Sequence, residues 1–339
     1  MIRVLIVDDS ALVRQLLSHM LSQAEDIKVV GCAEDPYQAR DMIKELNPQV
    51  ITLDIEMPRM DGIAFLRNLM KLRPMPVIMI STLTEKGAAI TLEALSLGAV
   101  DFISKPKNDL ANRLLDYQDE LLEKVRQAAV SRVRALSPPP PEPECPSKLK
   151  NRVIAIGAST GGTEAIQRLV SRLPANFPPV VIAQHIPAAF SASFAKRLDL
   201  NSQMTVVEAI GNEQLKPGNV YIAPGHCHMI IKRVGAHLHT ALLDTEPVNR
   251  HKPSVDVLFD SVADVAGKAA IGVILTGMGR DGAKGLLNMR EQGAYTIAQD
   301  EASSVVWGMP GSSVEIGAAC EQLHLDKIAG KLLGMLKSD

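Results

Sequence analysis

Residues 137–146 read SPPPPEPECP, and this proline run constrains the fold of the chain more than any other feature. Six of its ten residues are prolines, which lack the backbone N–H that helices and sheets require and favour extended polyproline II structure. We therefore expect a semi-rigid linker that divides the 339 residues into two globular parts. The alternative is that the run is a ligand for an aromatic groove of another protein.

Short apolar runs alternate with longer amphipathic segments before the linker. β-branched side chains predict buried strands at residues 2–7, 50–53, 77–80 and 100–103. Helical periodicity predicts helices at 10–22, 37–46 and 114–136, the last leading into the linker. This alternation indicates an α/β domain with a doubly wound parallel sheet and helices on both faces.

A similar pattern resumes after the linker. Strands are predicted at 153–156, 180–183 and 271–275, each followed by a candidate helix. Further strands are predicted at 205–209, 220–223 and 228–242, with turns at Gly225 and Gly235. We expect a second, Rossmann-like doubly wound α/β domain that includes an antiparallel hairpin.

The composition excludes several classes of partner. A net charge of −2 and 3% aromatic residues supply neither the basic excess nor the stacking rings of a nucleic-acid-binding protein, so we expect no nucleic-acid partner. The four cysteines are Cys32, Cys145, Cys227 and Cys320, and no two of them form a CxxC pair. This pattern is typical of a cytoplasmic protein without a zinc ribbon. Residues 173–195 carry no formal charge but include four prolines, so we expect no membrane insertion.

Polar side chains follow the predicted strands of the first domain, at the edge where parallel sheets bind ligands. They are Asp8 and Asp9, then Asp54, Ser81 and Lys105. Three converging carboxylates repel one another unless a cation offsets their charge, and their hard oxygen atoms suit Mg²⁺. A carboxylate beside such a metal can attack phosphorus and form an acyl phosphate, while a hydroxyl and an ammonium group contact the phosphoryl oxygens. Taken singly, each aspartate is more often a helix N-cap or a turn residue.

The segments VLIVDDS, LDIEMPRMDG and ISKP resemble the signature segments of response-regulator receiver domains, over residues 1–122. The resemblance implies a flavodoxin-like, five-stranded parallel sheet with Asp54 as the phosphoacceptor. It also implies Mg²⁺ ligands from Asp8, Asp9, Asp54 and the carbonyl of Glu56. Ser81 and Lys105 would then couple phosphorylation to a conformational change. The family often has threonine at the position of Ser81, which here precedes Thr82.

A glycine-rich turn follows the first predicted strand of the second domain, in VIAIGASTGG at 153–162. A dinucleotide-binding GxGxxG motif requires glycine at Ser159, and a phosphate-binding GxxxxGK motif requires lysine at Thr163, so both fail. The segment does match GxSxG, in which a strained turn presents a serine hydroxyl at the head of a helix. Backbone N–H groups there can stabilise an oxyanion. A plain glycine turn is the alternative.

Two further residues could complete a catalytic site with Ser159. His185 follows the strand at 180–183 and could act as the base, and Asp281 follows the strand at 271–275 and could orient the imidazole. Because all three residues follow parallel strands, one sheet edge can bring them together. Their order in the chain differs from the Ser, Asp, His order of α/β-hydrolases, so we expect a different fold with the same chemistry.

Alternatives remain for the residues around this candidate triad. Asp281 could simply cap the helix that begins near Gly282. The cluster His226, Cys227 and His228 could hold a metal, although an alternating strand face explains it more simply.

The segments IGASTGG, QHIP, YIAPG and LTGMGRDG resemble the catalytic domain of the CheB family of chemotaxis methylesterases. The resemblance implies that Ser159, His185 and Asp281 form the triad and that backbone groups near Thr160 and Met278 bind the oxyanion. The implied reaction is hydrolysis of glutamate γ-methyl esters on methyl-accepting chemoreceptors, with release of methanol, and deamidation of certain receptor glutamines. Ester hydrolysis would need no cofactor. The histidine kinase CheA would be the phosphodonor.

The expected organisation is a receiver domain at 1–122, a helical and proline-rich linker at 123–149, and a methylesterase domain at 150–339. The expected function is a phosphorylation-regulated protein-glutamate methylesterase. An alternative from another class is a response regulator whose second domain binds a protein partner without catalysis.

Overall fold

The computed structural model describes residues 1–57, 61–81, 84–105, 114–131 and 152–337. The chain forms two compact units, Met1–Ser137 and Pro138–Asp339. The predicted linker at 137–146, together with Thr82 and Cys145, lies outside the described residues.

The first unit contains a five-stranded parallel sheet. Its strands are β1 (Ile2–Val7), β2 (Ile27–Ala33), β3 (Val50–Asp54), β4 (Val77–Ser81) and β5 (Asp101–Ser104). Its helices are α1 (Ala11–Ser22), α2 (Pro36–Leu46), α3 (Gly62–Leu72), α4 (Glu85–Ser96) and α5 (Leu114–Val130). The strand order β2-β1-β3-β4-β5 is that of flavodoxin-like folds and confirms the predicted class.

The sequence patterns locate four of these strands but not β2. Strands β3 and β4 are fully buried, as their apolar runs predict. Strand β2 lies at the edge of the sheet and is mostly half-buried, so its sequence IKVVGCA mixes apolar and polar positions and carries a weaker signal. Helix α1 begins after Ser10, whose hydroxyl accepts a hydrogen bond from the Val13 N–H.

The second unit contains a seven-stranded parallel sheet and a separate hairpin. The sheet strands are β6 (Val153–Ala158), β7 (Val180–Gln184), β8 (Thr205–Glu208), β9 (Asn219–Ile222), β12 (Ala270–Ile274), β13 (Tyr295–Gln299) and β14 (Glu321–Leu323). Strands β10 (His228–Val234) and β11 (His237–Leu243) form the antiparallel hairpin, which turns at Gly235 with φ of +58°. The helices are α6 (Gly162–Val170), α7 (Ala188–Leu200), α8 (Val255–Ala266), α9 (Ala283–Glu291), α10 (Met309–Glu315) and α11 (Leu325–Leu336).

The strand order β14-β13-β12-β6-β7-β9-β8 gives the second sheet a switch point. From β6 the chain extends the sheet on one side through β7, and it later returns to place β12 on the other side of β6. Open α/β sheets bind ligands at the carboxyl ends of the strands beside such a reversal. The predicted Rossmann-like class with a hairpin is therefore confirmed, and β6 is the strand from which a site should be built.

Candidate functional site

Ser159 lies in the tight turn between β6 and α6. Its carbonyl accepts a hydrogen bond from the Gly162 N–H at 2.7 Å, and the hydroxyl-bearing residue is only half-buried. Gly161 has φ of +74°, and a Cβ there would lie 2.7 Å from Val305. A Cβ at Gly277 would lie 2.8 Å from the Cβ of Ser159. The turn therefore needs glycine both for its left-handed backbone and for the close approach of the neighbouring loop.

His185 lies next to Ser159 because their strands are paired in register. Ala158 of β6 pairs with Gln184 of β7, so the residues that follow them sit side by side at a strand spacing of about 4.8 Å. The buried Gln184 amide donates to the Ser159 carbonyl at 2.9 Å and to the His185 carbonyl at 3.1 Å. One side chain thus ties the backbone of the candidate nucleophile to that of the candidate base.

Asp281 completes the group. His185 Nε2 lies 2.8 Å from Asp281 Oδ2, and the two side chains are 7% and 1% exposed. The other ring nitrogen, Nδ1, is buried and bonds to none of the described residues. A proton held on Nε2 by the carboxylate leaves Nδ1 as the nitrogen able to accept the Ser159 proton.

Asp281 does not cap the helix that follows it, since Gly282 occupies that position in α9. Its carboxylate instead lies at the start of α8, where it accepts hydrogen bonds from the Val255 N–H (2.7 Å), the Ser254 hydroxyl (2.8 Å) and the Asn249 amide (2.7 Å). Burial alone would raise the pKa of this carboxyl, but the hydrogen bond and charge of His185, with the other donors, hold it below its ordinary value. The aspartate is therefore held as an anion.

His251 is a functional candidate that the sequence patterns did not identify. Its ring stacks on the His185 ring with centroids 3.7 Å apart and planes 7° from parallel. The stack fixes the plane of the candidate base. His251 lies in the loop between β11 and α8, and no strand ends directly before it to mark its position. Only the folded structure therefore brings it to the site.

His228 is buried and structural. Its Nδ1 accepts a hydrogen bond from the Ser254 N–H at 3.0 Å, and its Nε2 lies 3.0 Å from the Glu246 carbonyl. Both ring nitrogens are therefore occupied. Among the described residues, the cluster predicted as an alternative metal site does not bring three ligand atoms together.

The two predicted oxyanion donors flank Ser159. Thr160 is the next residue in the turn, and its carbonyl accepts a hydrogen bond from the Thr276 hydroxyl at 3.0 Å. Met278 follows Gly277, whose carbonyl accepts bonds from the Gly308 and Met309 N–H groups. The Met278 N–H itself donates to none of the described residues. The Met278 N–H therefore stays a candidate donor for an oxyanion.

The first unit gathers its predicted site residues at the carboxyl edge of its own sheet. The carboxylates of Asp8, Asp9 and Asp54 each have an oxygen within 4.8 Å of the others. Lys105 Nζ lies 2.8 Å from Asp54 Oδ2 and 3.4 Å from Asp8 Oδ2. Burial, reinforced by the charge of Asp8, raises the pKa of Asp54 to about 6. This crowded set of hard oxygen ligands fits Mg²⁺, whose charge would offset that of the carboxylates.

Glu56 and Ser81 lie beside this acidic cluster. The Glu56 N–H donates to the Asp54 carboxylate, and its side chain is exposed. The buried Ser81 Oγ lies 2.6 Å from Thr91 Oγ1 of α4, which is also 2.7 Å from the Gly87 carbonyl. The Ser81 hydroxyl at the end of β4 is therefore hydrogen-bonded to helix α4.

Comparison with known proteins assigns both units. Residues 4–115 match the model of the response regulator receiver domain, and residues 154–332 match that of the CheB methylesterase. The protein-glutamate methylesterase/protein-glutamine glutaminase 1 of Dechloromonas aromatica is 52% identical, over 99% of both chains. A protein of the same name from Chromohalobacter salexigens, without the numeral, is 53% identical over 98% of this chain and 95% of its own.

A solved structure resembles the second unit. The CheB methylesterase catalytic domain of Thermotoga maritima is 40% identical and aligns with a TM-score of 0.54, covering 56% of this chain and all of that domain. Among the described residues, no helix combines the length and apolar character needed to cross a lipid bilayer.

Proposed function

The chain belongs to the CheB methylesterase family, and from this we propose that it is a protein-glutamate methylesterase and protein-glutamine glutaminase that acts on chemoreceptors under the control of phosphorylation. The observation that carries the proposal is the buried His185–Asp281 pair at 2.8 Å, beside a serine held in a GxSxG turn. A pair with this geometry supplies a base and an orienting anion next to a nucleophile.

The proposed reaction is acyl transfer to water. The Ser159 oxygen attacks the γ-carbonyl carbon of the substrate while its proton passes to His185 Nδ1, and Asp281 stabilises the resulting imidazolium. Backbone N–H groups of Thr160 and Met278 bind the oxyanion. The imidazolium returns the proton to the leaving group, which departs as methanol from an ester or as ammonia from an amide. Water then hydrolyses the γ-glutamyl serine by the same route and leaves a glutamate.

Phosphorylation is proposed at Asp54, the carboxylate at the end of β3. Asp8, Asp9 and Asp54, with the Glu56 carbonyl, would hold Mg²⁺, which when bound offsets the negative charge of an approaching phosphoryl group. Lys105, whose ammonium group lies 2.8 Å from Asp54, and Ser81, at the end of β4, would contact the phosphoryl oxygens. The proposed phosphodonor is the chemotaxis kinase CheA.

The remaining parts of the proposal concern organisation and location. We place the receiver domain at 1–122, the linker at 123–149 and the catalytic domain at 150–339. Hydrolysis at Ser159 is proposed to need no cofactor, because serine, histidine and aspartate suffice for acyl transfer. A cytoplasmic location stays a prediction from the cysteine content.

The proposed function is tested by Ser159→Ala. The variant loses the nucleophile, so methanol release from methylated receptors should fall by roughly a thousandfold or more. The chain has a single tryptophan, Trp307, in the second unit, and its fluorescence reports whether that unit still folds. A folded variant that releases methanol at the wild-type rate would exclude the triad and favour a non-catalytic, partner-binding role for the second unit.

A further inference from the structure

Two exposed arginines lie at the rim of the candidate catalytic site. Arg250 lies between Asn249, which donates to Asp281, and His251, which stacks on His185. Arg280 immediately precedes Asp281 and is separated from Met278 by a single glycine. The residues on both sides of Arg250 therefore contact the candidate triad, and the residue after Arg280 is a member of it.

The backbone at Arg250 is held in an unfavourable conformation. Val248 and His251 pair across a two-residue turn with hydrogen bonds of 3.1 and 2.9 Å. The central residues, Asn249 and Arg250, have φ of +53° and +65°, as in the hairpin turns that prefer Asn-Gly. Arginine stands where glycine would relieve the strain. Strain of this kind is a reason to look for a function of the side chain.

Neither arginine has an acceptor among the described residues. Nearby cations differ in this respect: Lys252 lies 2.8 Å from Asp244, and Lys232 donates to Asn212. The segments 247–253 and 276–284 carry four cationic side chains, Arg250, Lys252, Arg280 and Lys284. Their one carboxylate is Asp281, which is 2% exposed. Lys252 is paired with Asp244, and the exposed Glu246 directly precedes the first segment, so Arg250, Arg280 and Lys284 are the cations of these segments that no carboxylate of the described residues pairs with.

We propose that Arg250 and Arg280 form a docking surface for carboxylates that flank the target side chain on the substrate protein. The inference rests on the proposed function and specifies how its substrate is recognised. Each hydrolysis or deamidation produces a glutamate, so a substrate segment with several target sites accumulates carboxylates close to the sites that remain. The two guanidinium groups at the rim would attract such an acidic segment, so KM should be lower for a partly hydrolysed substrate than for an unhydrolysed one.

The test compares two substrates. One is a soluble cytoplasmic fragment of a chemoreceptor carrying γ-methyl esters, and the other is the small neutral ester N-acetyl-glutamate amide γ-methyl ester. The variants of the full-length chain are Arg250→Gln, Arg280→Gln and the double variant, with Arg250→Lys to restore the charge. The control is Lys268→Gln, an exposed cation before the amino end of β12, at the opposite edge of the sheet.

The double variant should raise KM for the receptor fragment roughly three- to tenfold at low salt, with kcat changed by less than about twofold. The small ester should be hydrolysed with a kcat/KM within about twofold of the wild type. Arg250→Lys should recover most of the wild-type KM, and Lys268→Gln should have no effect. Added salt should raise the wild-type KM towards that of the double variant, because exposed charge pairs are screened.

Three outcomes would overturn the inference. An unchanged KM for the fragment would exclude docking. An equal loss on both substrates would show that the arginines support the site itself. In a further assay with full-length receptors in anionic vesicles, a loss seen there but not with the soluble fragment would indicate a lipid surface as the partner. A wild-type chain that releases methanol from neither substrate would instead refute the proposed function, and that result is distinct from the other three.

Discussion

At the scale of single residues, Asp281 is the point at which the catalytic unit joins distant segments. It is bonded to His185 after β7, to Asn249 in the loop after β11 and to the first turn of α8. The sequence predicts Ser159, His185 and Asp281 because each lies in the loop that follows an apolar strand. It does not predict Asn249 or His251, since their place at the site depends on a loop whose path is set by long-range contacts.

His251 supports the site by stacking. His251→Ala removes the ring that lies against His185, so the imidazole can rotate away from the line between serine and carboxylate, and kcat should fall roughly tenfold. His251→Phe keeps an aromatic face and should retain most of the activity. Initial rates of methanol release measure both. Equal losses in the two variants would mean that the imidazole of His251, rather than its stacking face, is required.

At the scale of elements, the pairing of β12 with β6 brings the loop that carries Asp281 to the same edge of the second sheet as Ser159 and His185. The sequence patterns predicted β6, β7 and β12, whose buried apolar runs are flanked by turns and helices. They did not predict β13 or β14. Strand β13 has polar residues in YTIAQ, and β14 has only three residues, so neither carries a clear apolar run. These strands owe their conformation to pairing with the sheet rather than to local sequence preference.

In the first unit, the link between β4 and α4 suggests how its acidic site is coupled to a helix. Thr91→Val preserves the shape of the buried side chain and removes its bond to the Ser81 hydroxyl. That hydroxyl is then freer to contact a phosphoryl group on Asp54. The small-molecule phosphodonor concentration for half-maximal esterase stimulation should fall roughly two- to tenfold.

A matched control for this prediction is Ser96→Ala, which removes a hydroxyl bonded to the Glu93 carbonyl in the same helix. It should leave the half-maximal concentration unchanged. A Thr91→Val variant that needs more phosphodonor than the wild type would mean that the bond to Thr91 helps, rather than hinders, the response of Ser81.

At the scale of the whole molecule, two sheets present two sites with different chemistry on one chain. The receiver unit offers a buried carboxylate whose pKa is raised to about 6, and the catalytic unit offers one whose pKa is lowered. Burial, reinforced by the charge of Asp8, raises the pKa of Asp54, whereas the hydrogen bond and charge of His185, with the other donors, outweigh burial and lower the pKa of Asp281. The division into two units was predicted from the proline run, and the comparisons confirm a receiver domain followed by a methylesterase domain.

Asp54→Ala tests whether the first unit controls the second. The variant lacks the proposed phosphoacceptor, so the ratio of methanol release with and without phosphodonor should fall to about one. The same assay on the wild-type chain should give a ratio above one. Stimulation that persists in the variant would exclude Asp54 as the control point.

The order of Ser159, His185 and Asp281 along the chain has a consequence for synthesis. Ser159 and His185 leave the ribosome well before Asp281, and until β12 has been made one edge of β6 has no strand to pair with. A nascent chain that ends before β12 therefore has Ser159 and His185 but lacks Asp281, and β6 is an unpaired edge strand of its sheet. With the triad as proposed, hydrolytic activity requires that translation has passed Asp281 and that β12 has paired with β6.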